Sequence, residues 1–512
     1  MIDVPAFWRS LSKSQRYLGI VILAAIFYAS TLSLISIYKM NHFSYPDFDL
    51  GFADQSIWLL ANGNEPFSTV RGVHVFGDHM HFIYLIIAPL YWIWSDVRIL
   101  LIFQSFILAS GLMPLYLIAK DKLGNGKIPV ILSFTYLLYP ALHYLNLDNF
   151  HSVSLGVPLF LWAFYFLGKR EYKMLSVVIF LLLLIREEYV FTIFLMGLYT
   201  AVKYDRKKGA IISAVAIAWL LLMTNVIFPY FSGVEYLQSG RVGLKEYGSS
   251  MPEIILNMAS NPVSVANKIF TEHNYQYFTD LFAPLGFIPL LYAPVILLSF
   301  PAMGLNMVID WPYASTIHYH HTTAIIPFVF ISLIYALDHA SKIAIRYLKV
   351  KRCVALKCLV ALVIVSSLYA NISMSPEYTR ISNPERIAYM IFNINTFSSE
   401  ENARYEAMSR IPSNATVSSG YLFLAHLSQR EIVYLFPNPF KEAYWGLENG
   451  KYMPSPPTWD TDYIIIDRYM SNDERSMVEN FITSGVYRLV YESHNIRLLE
   501  RNPSIPLDAL PP

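Results

Sequence analysis

Three acidic residues fall within eight positions of one another: Asp47, Asp49 and Asp54, in Tyr45-Pro-Asp-Phe-Asp-Leu-Gly-Phe-Ala-Asp-Gln55. They follow directly on the first long apolar run. A carboxylate held at a membrane surface can take the proton of a hydroxyl acceptor, and its oxygens can hold a hard divalent cation. Capping is the structural alternative: Asp47 or Asp49 would cap a surface helix starting near Leu50, with Asp54 on its polar face. The same segment ends in His74-Val-Phe-Gly-Asp-His-Met-His81. Imidazoles clustered with Asp78 at a membrane interface suit a metal or a phosphate. His79 and His81 are two apart, which fits an extended loop better than a helix face.

Three further clusters carry chemistry. Asn149 and His151 lie in Leu147-Asp-Asn-Phe-His151, between two apolar runs, and that loop can equally be a capped turn. Arg186, Glu187 and Glu188 interrupt the apolar run 174–202. Charge inside a membrane segment is costly and points to function. Arg186 suits a phosphate oxygen, although such charges also pair among themselves. His318, His320 and His321 lie in an aromatic loop beginning at Trp311. With the first histidine loop they would form a metal cage, and the rings suit sugar stacking.

These clusters need membrane helices to position them. The chain has 512 residues, of which 55% are hydrophobic and 15% charged, with mean hydropathy +0.40. Soluble globular chains carry roughly 25% charge. The reading is a polytopic membrane protein. A net charge of +1 leaves no basic footprint for nucleic acid. Two cysteines, Cys353 and Cys358, exclude a disulfide scaffold and are expected to be buried as small apolar residues.

Apolar runs lie at about 17–38, 80–94, 97–119, 128–146, 152–167, 174–202, 209–231, 284–309, 322–338 and 354–373. Arg9, Lys13 and Arg16 place the N-terminus in the cytoplasm. Basic clusters at 169–173, 203–208 and 342–352 mark the same side, yet they do not fit ten simple crossings. Run 174–202 reads as two short helices meeting at Arg186. Run 284–309, with four prolines, reads as broken or re-entrant helices. Lys120, Lys122 and Lys127 create a third conflict, in the region 80–127.

Residues 1–373 are therefore a polytopic domain with outer loops 39–79 and 232–282. Charged residues number 29 among the 139 of 374–512, against 46 in the first 373. Short β-type runs at 415–418, 431–436, 463–467, 487–492 and 496–500 alternate with helical stretches such as 471–484. That pattern predicts a soluble α/β domain, outside the cell because Arg352 precedes the last membrane helix.

The order of motifs resembles a family. Phe48-Asp49-Leu50-Gly51, Asp54-Gln55 and Trp58 come first. Asp78-His79, Ala88-Pro89-Leu90, Asn149-Phe150-His151, Arg186-Glu187-Glu188, Ala283-Pro284-Leu285-Gly286 and His318-Tyr319 follow. The chain resembles the predicted membrane proteins called domain of unknown function 2079 over roughly 45–500. That family in turn resembles the GT-C glycosyltransferase superfamily, such as protein O-mannosyltransferases and aminoarabinose transferases. The resemblance implies a mainly α polytopic helix bundle of the GT-C type with a C-terminal extracytoplasmic α/β domain in the plasma membrane. It implies a polyprenyl-phosphate sugar donor and a glycan, lipid or protein acceptor.

By that likeness Asp49 is the catalytic carboxylate, with Asp47 second. A divalent ion, Mg or Mn, would sit at Asp49 with His79. His79 falls where the superfamily has His-Pro; Met80 replaces the proline here. Arg186 lies where relatives place a cation toward the lipid phosphate. Asp54, His79, Asn149, His151, Arg186, Glu187, Glu188, His318 and His320 are the expected substrate-binding residues. The alternative class is a transporter or lipid-linked-sugar flippase, which broken helices and intramembrane charge also fit. Transporters often show two matching halves, and this chain shows none. Neither a phosphate-binding G-x-x-x-x-G-K-[ST] nor a metalloprotease H-E-x-x-H occurs.

Overall fold

The computed structural model describes residues 11–45, 47–233, 244–248, 251–309, 311–444 and 460–506. Arg9, much of 234–250 and the side chain of Asp47 lie outside the described residues. The chain opens with α1 (Lys13–Asn41), where Ser12 and Gln15 form a reciprocal capping box. The helix α2 (Asp47–Ala61) follows; it is largely buried, where the sequence suggested a surface helix. Next is a two-residue ladder of β1 (Phe67–Ser68) and β2 (Val73–His74).

The bundle continues with α3 (Arg98–Ser110) and α4 (Leu112–Leu123), then α5 (Lys127–Leu137) and α6 (Pro140–Leu147). Then come α7 (Gly156–Lys169), α8 (Tyr172–Leu183), α9 (Tyr189–Lys203), α10 (Arg206–Leu222), α11 (Ile326–Leu348) and α12 (Arg352–Met374).

Among the described residues, six helices are long and apolar enough to cross a membrane. A seventh is added if α5 and α6, bent by 47° at Pro140, count as one span. The chain is a multi-pass membrane protein. The spans 98–123, 152–169 and 326–348 are 61%, 67% and 61% buried, whereas 206–232 and 352–374 are 22% and 28% buried. The former are central and the latter face lipid. That explains Cys353 and Cys358, which are exposed on α12, contrary to the sequence expectation. In a membrane helix the outward face is apolar too, so a thiol need not turn inward.

The ten apolar runs do not all become crossings. Run 80–94 forms only the short turns Tyr84–Ile87 and Ala88–Trp92. Run 174–202 splits into α8 and α9, as its internal charges predict. Run 284–309 breaks into pieces, and Pro284, Pro289, Pro294 and Pro301 each stand at the start of one. Proline has no N–H to give a preceding turn, so it opens helices and does not continue them.

The Lys120 conflict resolves with the missing crossing. Lys120 Nζ meets Ser14 Oγ at 2.8 Å, and Lys169 pairs with Asp121 at 2.7 Å. The start of α1 and the ends of α4 and α7 thus share one basic side. Arg352 on α12 and Lys342 on α11 both clamp Asp338, at 2.7 Å each.

The C-terminal region is a five-stranded sheet. Its strands are β3 (Val417–Ser419), β4 (Val433–Leu435), β5 (Tyr463–Ile466), β6 (Tyr487–Ser493) and β7 (Ile496–Arg501), in the order β4-β3-β5-β7-β6. β3 runs parallel to β4 and β5, and the other pairs are antiparallel. Side chains alternate across it. Val417, Ile465 and Leu498 pack with Ala403 and Ala407 of α13 (Ser399–Ser409). Ile464, Ile466 and Leu499 pack with Val478 and Phe481 of α14 (Asn472–Thr483). His494 and Asn495 both take positive φ, 51° and 63°, which a two-residue hairpin between twisted strands requires.

This region docks on α2. A Cβ at Gly51 would sit 2.8 Å from Leu424 Cγ, so only glycine allows the approach. Asp54, completely buried, accepts from Ser428 Oγ at 2.6 Å, from Gln429 Nε2 at 3.2 Å and from the Tyr91 hydroxyl. Gln55 donates to Thr69 Oγ1 at 2.9 Å and Glu431 O at 3.1 Å. Thr69 Oγ1 in turn donates to Val433 O at 2.7 Å and accepts from Val433 N at 2.9 Å.

Burial raises the Asp54 carboxyl to about 6, against the lowering effect of its three donors. The folded state therefore holds this proton more tightly than the unfolded chain. Its contribution to stability is full below about pH 4 and is lost as pH climbs through 6, on the order of 3 kcal/mol. Thermal unfolding of wild type and Asp54→Asn, compared from pH 4 to 7, should show that decline in the wild type alone; identical profiles would remove Asp54 as its source.

Candidate active site

Asp49 and Asp54 are five residues apart on α2, which turns them about 140° from one another. Asp54 faces the sheet region, and half-buried Asp49 lies toward the bundle, within Coulombic reach of Arg71 and Tyr84. Arg71 sits in the turn between β1 and β2. It is 8% exposed, and its Nη1 is 3.3 Å from Oδ2 of the completely buried Asp78. Its guanidinium lies 5.7 Å from the Phe52 ring centre. Arg186 lies close enough to act on Arg71 by repulsion. Asp49, Arg71 and Arg186 all act on Tyr84, so two guanidinium groups and a carboxylate share one charged cluster.

The segment after Asp78 turns sharply, with Met80 at φ 51°. A proline, fixed near −65°, is excluded there, so this turn could not carry a His-Pro pair. The turn aims the flanking imidazoles at different partners. His79 Nδ1 meets Glu187 Oε1 at 2.9 Å. His81 stacks flat on Tyr84 (4.7 Å, 6°), with Nδ1 3.2 Å from Ser152 Oγ and Nε2 3.6 Å from Asp78 Oδ2.

The break between α8 and α9 delivers the cation. Arg186 and Glu187 are 8% and 4% exposed, and Arg186 Nε lies 3.4 Å from Glu188 Oε2. Helix-end carbonyls at the break are satisfied: Leu183 O accepts from Trp219 Nε1 at 3.1 Å, and Leu184 O from Ile83 N at 2.9 Å. Irregular backbone at this depth is tolerated only when so paired.

A second cluster adjoins the first. Gln104 Nε2 donates to the carbonyls of Leu145, Asn146 and Asn149 at 3.2, 3.1 and 2.6 Å, and its Oε1 accepts from His151 N at 2.9 Å. One side chain thereby fixes the 148–151 loop. His151 Nε2 is 3.1 Å from Asp148 Oδ2. The His151 and His320 rings are 4.0 Å apart, and those of His320 and His321 4.3 Å. Burial, then the charge of Arg186 and neighbouring histidines, holds His321 down to about 3.

Asp49, Arg71 and Arg186 thus gather about Tyr84, His79 pairs with Glu187, Glu188 pairs with Arg186, and His151 and His320 lie on the flank of this charged cluster. Asn149 is 2% exposed and meets this site through its backbone. Asp54 serves the docking contact. His318 stands apart, exposed, with Nδ1 2.9 Å from Thr316 Oγ1 and its ring edge-on to Tyr144. Among the described residues, the group of three or more metal-type ligands within mutual reach is Asp148, His151 and His320; Asp49 and His79 are not in it.

Arg71 escaped the sequence reading. Its only signal is a cation between Val70 and Gly72 in a stretch with few charges. The Arg71–Asp78 pair is buried, so removing one partner strands the other. Asp78→Asn should cost about 3–5 kcal/mol of stability, and Arg71→Met with it should recover part of that loss. Denaturation of the single and double variants in detergent measures this; a double variant no more stable than Asp78→Asn alone would show that the pairing carries no such energy.

Comparison with curated proteins finds no match. Among solved structures, the chain is similar to ArnT from Cupriavidus metallidurans, whose crystal structure is bound to undecaprenyl phosphate. Identity is 11%, the match covers 94% of this chain and 98% of that one, and the TM-score is 0.51. That likeness shows a GT-C type fold. The family model described as predicted membrane protein, domain of unknown function 2079, matches residues 39–498, and the chain belongs to that family.

Proposed function

We propose that the chain is a GT-C type membrane glycosyltransferase that moves a sugar from a polyprenyl-phosphate donor to an extracytoplasmic acceptor hydroxyl. The observation that carries this reading is the half-buried carboxylate of Asp49 within electrostatic reach of the buried Arg71, which the buried Arg186 reaches as well. A lipid-phosphate sugar presents that pair of needs: a base for the acceptor and positive charge for the leaving phosphate. The fold likeness to a protein solved with undecaprenyl phosphate supports the donor class.

In the reaction, Asp49 takes the acceptor proton. The acceptor oxygen forms a bond to the anomeric carbon. The bond from that carbon to the phosphate oxygen breaks, and its electron pair leaves with polyprenyl phosphate. Arg71 and Arg186 stabilise the charge that develops there. His79, braced by Glu187, completes the charged cluster. Tyr84, stacked under His81, and Glu188, paired with Arg186, hold the neighbouring groups. The acceptor is a glycan, a lipid or a protein. The basic side of the bundle, with the start of α1, would face the cytoplasm, and the sheet region the outside of the plasma membrane.

Purified chain would be incubated with polyprenyl-phosphate hexoses, and release of free polyprenyl phosphate followed. Asp49→Asn should lower turnover about 10²–10⁴-fold with unchanged folding. Undiminished turnover would remove Asp49 from the mechanism. Solute flux across proteoliposomes with no covalent product would instead support the transporter reading. With Asp49 acting as a base, turnover should survive EDTA; loss of turnover restored by Mg or Mn would show instead that the reaction needs a divalent ion.

A further inference from the structure

The histidine cluster beside Arg186 has no assigned task in that scheme. Asp148, His151 and His320 each present one ligand-type atom, and these atoms lie within 4.8 Å of one another. They come from two loops 169 positions apart in sequence. From this geometry we propose that Asp148, His151 and His320 form a zinc site that staples the 148–151 loop to the 320–322 turn.

Four observations support it. The donor set, two imidazoles and one carboxylate, is the three-ligand set of open zinc sites, whose fourth position is left to water or an anion. Ligand atoms around a tetrahedral zinc stand roughly 3.4 Å apart, given bonds of about 2.0–2.2 Å. Closure from the present separation takes side-chain rotation of about an ångström. Next, His320 Nδ1 is buried with no hydrogen-bond partner. Buried polar atoms are nearly always paired, and an exception calls for an explanation such as an ion.

Third, both loops are held in place before any ion arrives. Gln104 fixes the 148–151 side. The Tyr189 hydroxyl lies 2.8 Å from Val153 O and 2.7 Å from Thr323 Oγ1, spanning both loops. Gly156 admits that hydroxyl, because a Cβ there would stand 2.3 Å from it. Fourth, Asp148 Oδ2 and His151 Nε2 already stand 3.1 Å apart, close to the spacing of two zinc ligands, and metal binding would release the proton they share. The site is separate from Asp49 and does not rest on the transferase reading.

The test uses the full chain in detergent, without a polyhistidine tag, stripped with EDTA and desalted. Zinc chloride alone is the probe, with magnesium chloride beside it, in calorimetry and thermal unfolding. The expected result is one zinc per chain, a raised Tm and no response to magnesium. His320→Ala and Asp148→Asn should each weaken zinc binding at least about tenfold, with the metal-free Tm reporting the fold; His320→Gln serves where His320→Ala does not fold. His318→Ala and Asp49→Asn should bind zinc as the wild type does, which separates this site from the proposed reaction. Absent or non-stoichiometric zinc binding, or wild-type affinity in both His320→Gln and Asp148→Asn, would overturn the proposal.

Discussion

The docking of α2 between the membrane bundle and the C-terminal sheet is the constraint from which the rest of the structure follows. One short helix must satisfy two partners at once. Gly51 lets Leu424 approach, and Asp54 takes donors from Tyr91, in the short turn Ala88–Trp92, and from the sheet region. With that face committed, the helix rotation is set, and Asp49 is delivered toward Arg71. The sheet region, more than three hundred residues away in sequence, thereby orients a carboxylate at the membrane surface.

The cluster itself gathers charges where charges are costly. Arg71, Asp78, Arg186 and Glu187 are each 8% exposed or less. Pairs among them offset the desolvation only in part, since a buried ion pair is weak evidence for stability. Such a cluster in a membrane protein points to a charged ligand. Two arginines and a set of histidines facing acidic partners suit an anion that arrives with lipid and leaves with it.

Much of this was legible in the sequence because it is local. Strand runs at 463–467 and 496–500, the helix after Ser471 and the split at Arg186 follow from period, capping and the cost of charge in an apolar run. The contacts that decide function are long-range. Nothing near Asp54 shows that Ser428 will cover it, so it read as a substrate ligand. Arg71 carries no local pattern, and only the fold sets it beside Asp49. The histidines of 311–321 looked alike, yet His320 turns in and His318 out. The cysteines misled because burial rules drawn from water-soluble proteins lapse on a helix whose outside is lipid.

The most direct test of the account is a structure of the chain with polyprenyl phosphate bound. It predicts the phosphate hydrogen-bonded to Arg71 or Arg186, with the Asp49 carboxylate on the side from which an acceptor would approach. A phosphate seated away from both arginines, with Asp49 facing none of the lipid headgroup, would contradict it.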